Sequence, residues 1–173
     1  AILTYFDVNL TAKVLGVFLI TEIVMLALGA VAVLVQGGGP DGFAIGETLN
    51  PIGAFTPAAV AGASAGLGLF FAFWSWVGFE STAMYGEESK DPKRIIPRAT
   101  MIAVLGVGLF YVFVSWMAIA GTGPQRAVEL AQDADTASEI FFGPVRGTYG
   151  EWAITVFNIL LVSGSFACGM AFH

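Results

Sequence analysis

Residues 70–99 read FFAFWSWVGFESTAMYGEESKDPKRIIPRA. An apolar run of membrane length carries Trp74, Trp76, Gly78, Glu80, Ser81 and Thr82 in its middle, then gives way to a compact charged loop. Hydrocarbon rejects that mixture unless the segment lines a cavity or faces other protein. The rest of the chain decides what kind of cavity it is.

The 173-residue chain is 57% hydrophobic, with 22 Gly, 15 Phe and only seven Lys plus Arg. A water-soluble domain of this length could not hide so much apolar surface, whereas membrane helices tolerate glycine well. The net charge of −6 is spread through loops and speaks against a nucleic-acid partner. Cys168 is the single cysteine, which excludes an intrachain disulfide and a cysteine metal cluster; its apolar, small-residue surroundings predict inert packing. The first residues lack the basic region and cleavage site of a signal peptide. The chain opens on Ala1 and ends on His173 directly after an apolar run, which predicts an internal piece of a larger membrane protein.

Working outward, four segments qualify as spans, at about 14–35, 60–85, 100–121 and 152–173. The first reaches about 33 Å at ~1.5 Å per residue, enough for a ~30 Å hydrocarbon core, and Gly37-Gly38-Gly39-Pro40 stops it. The second begins near Thr56-Pro57, a cap hydroxyl followed by a first-turn proline. It is long for a straight span, and Gly62 with Gly66 forms a GxxxG step. Pro97 predicts a helix start for the third, and the fourth starts near Trp152.

The charges set the orientation. Lys90, Lys93, Arg94 and Arg98 lie in the loop 86–98, and Lys13 precedes the first span. The other side holds Arg126 and Arg146 against Glu129, Asp133, Asp135 and Glu139. The positive-inside bias places 86–98 in the cytoplasm and loops 36–59 and 122–151 outside. Two short surface helices are predicted in the second outer loop, one from Pro124 and one from Thr136, with Glu139 completing a capping box.

Two acids lie within spans. Glu80 sits at a depth where an ionised carboxylate needs a donor or water, so its pKa is expected to rise toward neutrality, as a proton-coupling residue requires. It serves equally to tie down a broken helix through freed backbone N–H groups. The run Trp74-Ser75-Trp76-Val77-Gly78 is a poor helix former. A broken turn there would offer carbonyls and N–H groups to an ammonium or a carboxylate, while a continuous span would pack its tryptophans against lipid or neighbours. Glu22 has no Lys or Arg in its own span, so it is protonated or bonded to another helix, in a structural or coupling support role. Ser163, Gly164 and Ser165 suit close helix approach, and their hydroxyls suit an ion or proton route. His173, the single histidine, is assigned no role. Neither a GxSxG elbow nor zincin spacing occurs, and one histidine cannot build a two-histidine metal site, so an enzyme is not expected.

The block WSWVGFE and the loop EESKDPKRIIPRA resemble the sixth transmembrane helix and following inner loop of amino acid permeases of the amino acid–polyamine–organocation superfamily. TAKVLGVFLITEI resembles the start of the family's fifth helix and SFACGMAFH its eighth. The resemblance implies an all-α integral membrane protein: helices five to eight of a LeuT-like inverted-repeat transporter, four transmembrane segments with the second discontinuous, all of 1–173 within one transporter domain. It implies substrate binding at Trp74, Ser75, Trp76, Val77 and Gly78, where backbone carbonyls hold the amino group, and gating or pH response at Glu80. Glu22, Ser163 and Ser165 are the supporting polar residues.

The resulting expectation is secondary active amino acid transport across the cell membrane by alternating access, by symport or antiport, with protons as coupling ion and no cofactor or metal. The partners are an amino acid, membrane lipid and the transporter's remaining helices, with no nucleic acid. Sodium coupling, proton-independent amino acid or polyamine exchange, and a non-transporting sensor or structural subunit are the alternatives.

Overall fold

The computed structural model describes residues 8–38, 42, 44, 46, 65–78 and 91–171. Among these the secondary structure is all α: α1 (Val8–Gln36), α2 (Ala65–Trp74), α3 (Pro92–Thr122), α4 (Pro124–Ala131), α5 (Glu139–Tyr149) and α6 (Glu151–Ala171). Thr56, Pro57, Gly62, Ser81, Thr82, Lys90 and His173, singled out above, lie outside the described residues, as does Glu80.

Helix ends follow local chemistry. α1 stops at Gly37, whose φ of +78° suits glycine and whose N–H donates to the Val33 carbonyl at 2.8 Å. α3 begins at Pro92 rather than at the expected Pro97. The Asp91 carbonyl accepts the first bonds, from Ile95 at 2.9 Å and Arg94 at 3.2 Å, and Pro92 fills a position that needs no N–H. Pro97 therefore lies inside the helix, which forgoes one bond to the Lys93 carbonyl. α4 starts at Pro124 as expected. The capping box at Thr136 does not form. Thr136 Oγ1 donates to the Leu130 carbonyl at 3.0 Å, Ser138 is the residue before α5, and the Glu139 carboxylate is taken by Arg146. An arginine two turns along the same helix outcompetes a backbone N–H for that carboxylate.

Contacts divide the chain into two units, one of residues 1–50 and 117–173, the other of residues 51–116. In the first, α6 packs along α1 and against α5, and α5 also meets α1. Val145, Ala153, Ile154 and Phe157 form the core, flanked by Met25, Leu26, Phe141, Phe142 and Tyr149. Close approach needs small residues: a Cβ on Gly121 would fall 2.9 Å from both Pro144 Cγ and Val33 Cγ2. Thr122 Oγ1 donates to the Ile140 carbonyl at 2.6 Å and Tyr149 OH to the Leu28 carbonyl at 3.1 Å, fastening α5 to α3 and α1.

Among the described residues, two helices are long and apolar enough to cross a membrane, Gly16–Gln36 and Pro92–Thr122, and α6 holds a shorter apolar stretch, Glu151–Ser165. Their outward side chains are apolar as well, with Ile20 63%, Ile102 72% and Leu109 73% exposed. A helix apolar on every side needs lipid or further protein around it, not water.

Candidate functional site

Within the unit of residues 51–116, α2 ends where the sequence carries its aromatic run. Ser75 N–H still reaches the Phe71 carbonyl four residues back, at 3.0 Å. The next two bonds tighten to three residues, Trp76 to Phe73 and Val77 to Trp74, each 3.1 Å. Gly78 then takes a φ of +109°, which side-chain-bearing residues rarely adopt. Three causes converge. Ser75 Oγ bonds back to the Phe71 carbonyl at 2.8 Å, Val77 is β-branched, and Gly78 allows the turn-out.

Aromatic rings surround this turn. Trp74 stacks on Phe70 one helical turn below, with centroids 6.2 Å apart at 28°, and is 65% exposed. Trp76 is half-buried, its ring tip lying against α3. A Cβ on Gly108 would fall 2.9 Å from Trp76 Cη2 and 3.0 Å from Cζ2. The turn is thus held from one side by a glycine sequence reasoning did not single out. Gly106 and Gly108 look alike in the sequence, and only the second meets a ring.

In the other unit, Glu22 of α1 meets α6 at Gly164. Its Oε2 lies 2.9 Å, and Oε1 3.4 Å, from where a Cβ on Gly164 would be. The hydroxyls of Ser163 and Ser165 flank this contact in sequence but bond within their own helix, to the Leu160 and Leu161 carbonyls, each at 2.8 Å. The structure therefore brings Glu22 to the serine–glycine run without a hydrogen bond to either serine. Thr21, on another face, donates to the Val17 carbonyl at 2.8 Å.

An ionic cluster ties the start of α5 to the start of α6. Arg146 donates two bonds to Glu139, one of them at 3.0 Å, and its Nε lies 2.7 Å from Glu151 Oε1. The hydrogen bond from Arg146 is the main cause holding the Glu139 carboxyl below its ordinary value, with burial opposing and the guanidinium charge assisting. Beside this cluster, a cavity of about 560 Å³ lies between the ends of α1, α3, α4 and α5, lined by Gln36, Thr122, Arg126, Thr136, Glu139 and Thr148 among others. The seven-residue spacing of Glu139 and Arg146 on one helix was the available signal for the pair.

The family model described as amino acid permease matches residues 1–172. Comparison with curated proteins gave no match, and neither did comparison with solved structures.

Proposed function

Because the chain belongs to the amino acid permease family, we propose that it carries amino acids across the cell membrane by alternating access, coupled to protons. The family is one of transport proteins rather than enzymes, and the chain is an all-α membrane protein. The substrate amino group binds at the turn Trp74–Gly78. What supports this is the end of α2. The C-terminal, carbonyl end of α2, beside an exposed indole on Trp74, offers an ammonium both partial negative charge and a π face. Glu80 follows as the proton-coupling or gating acid, and Glu22, Ser163 and Ser165 form a supporting polar group. The spans at 14–35, 60–85, 100–121 and 152–173 cross with 86–98 inside, the second interrupted at this turn, within a LeuT-like inverted repeat completed by the transporter's other helices.

The test is uptake of a panel of labelled amino acids by the intact protein in liposomes, with and without an imposed pH gradient. Uptake of one or more amino acids, stimulated by inward-directed protons, is expected. Uptake indifferent to the gradient would replace proton coupling with exchange or another ion, and no uptake of any amino acid would overturn the reading.

A further inference from the structure

A second cavity, of about 280 Å³, lies between α1, α5 and α6. We propose that it binds a lipophilic ammonium ion, a protonated amine on a small apolar body, with the Glu22 carboxylate as counter-ion and the rings of Phe141, Phe142 and Phe157 as its walls.

Helical register builds the site. Glu22 and Leu26 are four residues apart on one face of α1, and Phe157, Leu160, Leu161 and Gly164 follow one face of α6. The three phenylalanines pack on one another, Phe141 to Phe157 edge-on at 5.2 Å and 77°, Phe142 to Phe157 at 6.2 Å and 57°. Apart from Glu22, the only polar side chain in the lining is that of Ser138.

Charge then selects the occupant. Glu22 is the one charged group in the lining, and among the described residues it has no ion pair and no hydrogen-bond donor. The nearby hydroxyl protons of Ser163 and Ser165 are already given to carbonyls of α6. Gly164 lets the carboxylate rest against α6 but supplies no polar hydrogen to a side chain. A half-buried carboxylate walled by apolar side chains draws a cationic donor more strongly than one fully in water. Aromatic faces favour the same cation, and the aliphatic walls favour a ligand whose remaining atoms are apolar. An anion is repelled, and a strongly polar zwitterion would leave its own carboxylate unpaired. The volume suits one aromatic ring with a short chain. None of these residues belongs to the Trp74–Gly78 turn.

The probes are 2-phenylethylamine and its neutral counterpart 2-phenylethanol, bound to the intact detergent-solubilised protein at neutral pH and followed by calorimetry. The amine is expected to bind about tenfold or more tightly than the alcohol. Glu22→Gln should bring the two within about twofold, and Leu161→Trp, which fills the cavity while keeping the carboxylate, should weaken both. No amino acid of the uptake panel should displace the amine. Equal binding of amine and alcohol to the unaltered protein would overturn the proposal, as would a preference that survives Glu22→Gln, or displacement by a transported amino acid. Should Glu22→Gln fail to fold, undiminished amine binding in Leu161→Trp would overturn it as well.

Discussion

Gly108→Ala tests whether the turn at Trp74–Gly78 works as a substrate site held in shape by α3. The added methyl would sit 2.9 Å from Trp76 Cη2 and 3.0 Å from Cζ2, whereas carbon atoms are comfortable at about 3.5–4.0 Å. The indole must therefore retreat by roughly 0.5 Å or more. Its ring is rigid, so the retreat becomes either a rotation about its own side-chain bonds or a displacement of the turn that carries it. Overpacking of this kind costs about 1–3 kcal/mol. If the turn takes up the strain, substrate affinity falls between about fivefold and 150-fold. Concentration-dependent uptake by the intact protein should then show a raised KM. Indole emission from a variant retaining only Trp76, with Trp74, Trp116 and Trp152 changed to Phe, should shift on adding Gly108→Ala. Trp76→Phe removes the colliding atoms, so the double variant should transport like Trp76→Phe alone, a non-additivity diagnostic of contact. A folded Gly108→Ala protein with unchanged KM and maximal rate would refute the reasoning. So would a double variant whose defects simply multiply.

Glu80→Gln should flatten the pH dependence of uptake while leaving binding measurable; an unaltered pH profile with unaltered transport would remove Glu80 from the coupling role. Gly121→Ala drives a methyl to 2.9 Å from Pro144 and Val33 and should lower stability by about 1–3 kcal/mol, read as a drop in thermal midpoint. Gly106→Ala, with nothing within 4 Å of the new atom, serves as control and should not lower it. Glu139 titrates below its ordinary value of 4.5 when paired with Arg146, so its contribution to stability is full above that pH and is lost as pH falls through the lowered value. The thermal midpoint should accordingly hold from neutral pH to about 5 and decline below about 4.5, and Glu139→Gln should remove that part of the decline.

The elements that sequence made legible are those decided by neighbours along the chain. Pro124 opens α4 because a proline fits a first helical turn, and the aromatic–Ser–aromatic–Val–Gly run ends α2 because each residue weakens the helix locally. Hydropathy placed the third helix but not its start, since it measures lipid preference and is blind to the polar turns from Pro92 onward. The capping-box expectation at Thr136 erred for a related reason. The motif counts a Glu three residues on as free to fold back, and Arg146 claims it. Pairings between distant segments left no local trace: Trp76 with Gly108, Glu22 with Gly164, Tyr149 with the Leu28 carbonyl.

The Glu22–Gly164 contact shows why residue type alone did not settle the role of the small residues on α6. An acid on one helix and two serines on the next invite a hydrogen-bonded bridge. Yet a hydroxyl inside an apolar helix has a nearer acceptor, the carbonyl three or four residues back, and both Ser163 and Ser165 take it. What draws α1 and α6 together here is absence of bulk: glycine lets a carboxylate lie where any Cβ would collide. The consequence is an acid brought into an apolar interface with no hydrogen-bond donor among the described residues.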